Sequence, residues 1–290
     1  MNATYLSEDI INSKRRQLIL NKAREIYGEI PPRPDHLYVK TISEVDFNSD
    51  GAILRRYELE CEYGGEFLSF PFISLTHTGG EKRPALIHIN YASDILSIST
   101  VYESVLNLGF NIFEFGCDDV SELHGEIRSG VCRALLGKRR GHRSAGKLAA
   151  YAWAASRILD FVAALPEIST ERLSIAARGC LAEAALLAGA LDQRFSDTAL
   201  ASLDTEAEVN DLFSIKYKNI RPPRERLTDL LPLLKGRGLH MRYLTEDAPT
   251  DFINKATLRC GANLYSTRLN GFLQDDLFCL AASIKETYKP

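Results

Sequence analysis

The chain has no hydrophobic run approaching a membrane span, and its N-terminus, MNATYLSEDIINSKRRQ, has no apolar core of signal-peptide length. A cytoplasmic protein with no membrane partner is the expectation. Strong charge is also lacking: 35 basic and 38 acidic residues leave a formal net charge of -3. Nothing in that balance calls for nucleic acid as a partner. Cys61, Cys117, Cys132, Cys180, Cys260 and Cys279 are scattered without a C-x-x-C pair. Reduced, mostly buried thiols are therefore expected, not zinc or a disulfide framework. There is no H-E-x-x-H, the histidines are isolated, and no aspartate run has calcium-loop spacing. Neither GEKRPALI nor GCDDVSELHG has the glycine spacing of a phosphate loop, so no metal and no cofactor are expected. No Pro/Ser/Gly linker divides the 290 residues, 45% of them hydrophobic, so one domain over 1–290 is expected, with 1–34 as a helical extension.

The chain does carry a clear order of elements. Ser7 to Tyr27 has the periodicity of an amphipathic helix packed on its own domain, ending before Gly28 and Pro31-Pro32. Leu37 to Ser74 alternates as antiparallel strands, with turns at Asn48 to Gly51 and Gly64-Gly65. PALIHINY is a continuous apolar run suited to a central strand buried on both faces, and Asn111 to Val120 (NIFEFGCDDV) repeats it. Ser93 to Leu108 forms the crossover helix between them, which starts a parallel α/β sheet near residue 85. Gly137 to His142 is a basic loop, read as a solvated connection with an anion site as the alternative, and Gly146 to Leu165 a long Ala-rich helix with Trp153 in the core. Ser196 to Arg226 reads as polar and aperiodic. Leu227 to Leu234 then gives a short helix, Gly238 to Leu244 a strand, Ala262 to Tyr265 a last strand, and Asp275 to Tyr288 a closing helix.

The centre of this arrangement is Arg172 to Phe195, RLSIAARGCLAEAALLAGALDQRF. A strand through Ile175 to Ala177, a turn at Arg178-Gly179-Cys180 and a helix apolar on nearly every face form a buried strand-turn-helix. α/β-Hydrolases place their nucleophile in that setting, on a strained elbow reading Gly-x-Ser-x-Gly.

The motifs around it resemble the α/β-hydrolases of the glucuronoyl-esterase and acetyl-xylan-esterase-like group. GKLAAYAWAASRILDF is similar to that group's G-K-I-x-x-W-A-W-A-x-S-R-x-x-D-Y segment, PALIHINY to its P-x-x-x-H-I-N-F strand, and GCDDV to its C-x-x-D-V strand end. The recognisable cover is roughly residues 84 to 195. The resemblance implies an α/β-hydrolase-like three-layer sandwich, with a mostly parallel central sheet and antiparallel strands at the N-terminal side. It also implies a carboxylic-ester hydrolase ancestry.

The group's elbow reads G-H-S-R-x-G-K. In register, those positions carry Ala177, Arg178, Gly179, Cys180, Leu181, Ala182 and Glu183. Gly179 stands at the nucleophile, Cys180 at the arginine near the oxyanion, and Glu183 at the lysine. Arg268 to Phe272 resembles the group's R-x-G-x-H loop, with Phe272 where the histidine should be. The fold orders its triad as nucleophile, acid, histidine, and only His240 lies downstream of the elbow, inside a strand where a buried, satisfied histidine is expected.

Two rivals compete for the nucleophile. Gly141-His142-Arg143-Ser144-Ala145-Gly146-Lys147 imitates an elbow but follows a basic loop instead of a buried strand, so Ser144 or a neighbour is expected to cap the helix that follows. Cys180 begins a helix, where a thiol can have a lowered pKa, but it lacks a base and is one residue out of register. Asn90, Asp118, Asp119, Arg178 and Glu183, at strand ends or on the elbow, are the candidate lining of a remnant ligand pocket. The expectation is a catalytically degenerate esterase homologue that binds a small carbohydrate-like ligand or a protein partner. The alternative is an active hydrolase using non-standard residues such as Cys180.

Overall fold

The structure, a computed structural model, describes residues 8–47, 51–63, 65–92, 99–127, 130–136, 141, 144–202, 212–217, 222, 226–243, 263–268 and 276–288. The first periodic segment folds as α1 (Glu8–Tyr27), which buries Ala23, Ile26 and Tyr27. The alternating segments form β1 (Leu37–Asp46), β2 (Ala52–Tyr63) and β3 (Glu66–His77), and the apolar run forms β4 (Arg83–Asn90). There follow α2 (Ser99–Asn107), β5 (Asn111–Gly116), the single turn α3 (Cys117–Val120), α4 (Gly130–Leu136) and α5 (Lys147–Val162). The chain then makes β6 (Ile168–Arg178), α6 (Ala182–Leu191), β7 (Asp197–Ala201) and α7 (Arg226–Leu230). It ends with β8 (Gly238–Tyr243), β9 (Asn263–Arg268) and α8 (Asp276–Glu286).

One sheet takes all nine strands in the order β1-β2-β3-β5-β4-β6-β7-β8-β9. Pairing is antiparallel from β1 through β3 to β5, and parallel from β5 through β4 to β9. Ala85, Ile87 and Ile89 of β4 face the core shared with α1, α5 and α6, whereas Leu86 faces the core shared with α2 and α8. Burial on both faces is what a strand without alternation requires, and it makes the molecule the three-layer sandwich expected of this fold class. Trp153 of α5 is 1% exposed and donates its Nε1–H to the carbonyl of Pro32 at 3.2 Å, so the N-terminal connector is pinned to the core. Among the described residues no helix is long and apolar enough to cross a membrane.

Three expectations are corrected. β7 lies inside the stretch read as aperiodic. All five of its residues are buried, so it shows no alternation, and its polar start, Asp197, is stabilised inside the protein by Ser196 Oγ, Tyr288 Oη and His240 Nε2 at 2.8, 3.1 and 3.1 Å. NIFEFGCDDV is not one strand: extended structure ends at Gly116, and Cys117 to Val120 form a helical turn. Ser144 does not cap α5. Its Oγ accepts the Gly141 N–H at 2.8 Å, and the cap position is Gly146, which has no side chain to offer. The open start of α5 is met by main chain instead, with the Leu148 N–H donating to the Leu212 carbonyl at 3.2 Å.

Candidate functional site

In an open parallel sheet ligands are handled at the carboxyl ends of the strands, where β4, β5 and β6 here bring Asn90, Cys117 to Asp119 and Arg178 to Cys180 together. β6 delivers the chain into a turn at Gly179, which is buried and has φ +59. This is the left-handed backbone of a strand-to-helix elbow, strained for any residue with a Cβ and free of that penalty for glycine. The backbone of the elbow is therefore present. Its side chain is not, and the space is taken: a Cβ built on Gly179 would stand 2.5 Å from Tyr91 Oη.

Tyr91 is held there from four sides. Its backbone N–H donates to Asn90 Oδ1 at 2.8 Å, and its carbonyl accepts from Cys117 Sγ at 3.4 Å. Its hydroxyl lies 3.7 Å from Cys180 Sγ, and the Arg178 guanidinium sits over its ring at 5.8 Å. Asn90 is in turn fixed by its Nδ2, which donates to Glu114 Oε1 at 3.3 Å. Glu114 is fully buried and shared with His88 Nδ1 at 2.6 Å and the Tyr102 hydroxyl. Asn90 and Arg178 thus position Tyr91. Burial, and after it the Cys180 thiol, push the Tyr91 phenol well above its ordinary range, so it stays a neutral hydroxyl.

The other predicted residues fall around this plug. Asp118 accepts the Leu123 N–H on Oδ1 at 2.7 Å, which closes the turn after β5. Asp119 is its neighbour in the same single turn. Glu183, 8% exposed in the first turn of α6, accepts from the Tyr27 hydroxyl at 2.6 Å, so the end of α1 is tied to the elbow. Cys180 is half-buried. Burial raises its thiol pKa, against the lowering by Tyr91 and by the backbone N–H groups of Cys180 and Leu181. That environment favours the thiol over the thiolate a nucleophile needs.

The histidine downstream of the elbow does not serve it. His240 is fully buried near the amino ends of β7 and β8, the opposite end of the sheet, with Nδ1 2.9 Å from Ser283 Oγ and Nε2 3.1 Å from Asp197 Oδ1. Both nitrogens are occupied within the core. Phe272 lies outside the described residues. Among the described residues no group of three or more His, Cys, Asp and Glu is arranged to hold a metal.

Sequence reasoning missed Tyr91, although a signal existed: where the family strand reads H-I-N-F, this chain reads His88-Ile89-Asn90-Tyr91. The Tyr91 hydroxyl faces Gly179. It also missed Ser202, which follows β7 beside the elbow with φ 53, is 3% exposed, and has no hydrogen-bond partner for its hydroxyl among the described residues. Its backbone is held by donation to the Arg242 carbonyl at 2.8 Å.

Residues 60–202 match the family model described as glucuronyl esterase, fungi. Solved structures resemble the whole chain. A glucuronoyl esterase of carbohydrate esterase family 15 from Teredinibacter turnerae superposes with TM-score 0.77 at 17% identity, covering 98% of this chain and 86% of that one. A glucuronoyl esterase from Solibacter usitatus gives TM-score 0.75 at 16% identity, covering 96% and 94%. A glucuronoyl esterase variant from Sporotrichum thermophile, in complex with methyl 4-O-methyl-β-D-glucopyranuronate, gives 0.68 at 19%, covering 97% and 84%. No curated protein sequence matches.

Proposed function

From a chain with the fold of the glucuronoyl esterases, we propose a protein that keeps the esterase scaffold, has lost its nucleophile and acts by binding. The observation that carries this reading is the Tyr91 hydroxyl 2.5 Å from the point where a Cβ on Gly179 would stand. An active elbow needs that volume for the serine and for the carbonyl carbon it attacks. Filling it with a neutral phenol leaves neither nucleophile nor attack trajectory. The partner of such a scaffold is a small carbohydrate-like ligand or another protein. Hydrolysis through Cys180 is the weaker reading, because burial and the nearby Glu183 carboxylate both raise the pKa of its thiol.

The test is turnover of p-nitrophenyl acetate and of methyl 4-O-methyl-β-D-glucopyranuronate, the ester in the Sporotrichum complex. Rates equal to buffer are expected for both. Turnover that disappears in Cys180→Ala would sink the proposal.

A further inference from the structure

At the end of the sheet opposite the elbow, the last turns of α5 and the chain leaving α6 enclose a groove of about 360 Å³ with α1 and the 28–36 connector. Arg16, Arg33, Arg157 and Arg194 line it. Two carboxylates answer them. Asp160 Oδ2 is 3.2 Å from Arg33 Nε and 3.0 Å from Arg157 Nε, and its Oδ1 is 2.7 Å from Arg194 Nη1. Asp192 pairs with Arg194 at 2.6 Å and also lies near enough to Arg157 to raise its pKa. Four guanidiniums on two carboxylates leave positive charge in excess.

The usual structural use of such residues is to cap helix carbonyls, and another residue already fills much of that role here. Arg237 donates to the carbonyls of Gly189, Asp192 and Phe195 at the end of α6. Arg157 is the informative member. It is 7% exposed, lies against the Trp153 ring at 5.7 Å, and among the described residues its Nε makes no hydrogen bond despite the ion contact with Asp160. Burial lowers its pKa; Asp160 opposes that, while Arg194 and Arg33 add to it. A buried guanidinium crowded by two others is stabilised by any further anion that reaches it.

We propose that this groove is a binding site for a small ligand carrying two or more negative charges on phosphate or carboxylate oxygens. Arg33, whose side chain is 67% exposed, and Arg16 form the accessible rim, and Arg157 forms the floor. The site is separate from the elbow, so it stands whether or not the protein hydrolyses esters.

Calorimetric titration of the full chain with sodium pyrophosphate and with sodium citrate, each against sodium chloride at matched ionic strength, tests it. Saturable one-site binding of at least one polyanion is expected. Pyrophosphate alone would identify a phosphorylated ligand, citrate alone a polycarboxylate, and both a site that reads charge. Heats equal to those of sodium chloride for both would overturn the proposal. The double variant Arg16→Gln/Arg33→Gln, confirmed as folded by circular dichroism, should bind about tenfold more weakly, the loss of roughly one charge-assisted hydrogen bond. Removing the same charge elsewhere, in Lys40→Gln/Lys82→Gln, should leave affinity unchanged. Undiminished affinity in the first pair, or equal weakening in both, would refute the site.

Discussion

The contact between Tyr91 and Gly179 makes a quantitative prediction. In Gly179→Ala the new methyl meets two separate penalties. A non-glycine residue at φ +59 costs about 1–2 kcal/mol in backbone strain. The Cβ, 2.5 Å from Tyr91 Oη, must also push the ring and its hydroxyl off Arg178 and Cys180, an overpacking cost of about 1–3 kcal/mol. The single variant should therefore lose about 2–5 kcal/mol. Tyr91→Phe alone removes only a long contact to Cys180 Sγ at 3.7 Å and should cost under about 1 kcal/mol. In the Tyr91→Phe background the nearest ring atom to the new methyl is the one now at 3.7 Å, an ordinary van der Waals distance, so only the backbone penalty remains. Urea unfolding of the four proteins in the cycle should then give a coupling of about 1–3 kcal/mol, with the double variant more stable than additivity predicts. Additivity within about 0.5 kcal/mol would mean that Tyr91 does not occupy the nucleophile's space, and the reading of the elbow as plugged would fall.

Other perturbations test the surroundings of the elbow and the core. Lys147 is fully buried and its Nζ donates to the carbonyls of Leu123 and Gly125 at 2.8 and 2.6 Å, so Lys147→Met should cost about 2–4 kcal/mol by stranding both; a change in urea midpoint within error would refute this role. His240→Leu should cost about 2–3 kcal/mol by leaving Ser283 and the buried Asp197 short of partners, whereas Ser283→Ala should cost about 1; equal costs would show that the Asp197 contact contributes nothing. Burial pushes the Cys61 thiol from its ordinary 9.0 up to about 11, and raises Cys117, Tyr151 and Tyr102 as well. For an acid raised in the folded state, the unfolded chain ionises first, so stability is complete below about pH 9 and declines as pH rises through and beyond 11. A urea midpoint constant from about pH 8 to about pH 10.5 would contradict this.

Much of the fold was legible because its signals are local. Helical periodicity marked α1, α5 and α8, and alternation marked β1 to β3. β7 was not legible. A five-residue strand buried on both faces has no period, and the residue that tolerates its acidic start, His240, is 43 residues away. The capping of α5 failed for a related reason: main chain from Tyr27 and Leu212 meets that helix start, and no window around Ser144 contains either residue.

The division is sharpest at the elbow. The sequence by itself determined that a buried strand turns into a buried helix at Arg178-Gly179-Cys180 and that no serine stands there, because pattern and identity are properties of the chain in order. It also determined that His240 is the only histidine after the turn. What happened to the space of the missing side chain was decided in three dimensions. β4 and β6 are parallel neighbours far apart in the chain, and only their pairing at Ile89 and Ala177 brings Tyr91 over Gly179. The same holds for the arginine groove, whose four guanidiniums come from positions 16, 33, 157 and 194 and meet because α5 and α6 both end on that side of the sheet. Steric occupation and charge excess depend on distances between remote residues, and those distances exist only once the sheet has closed its register.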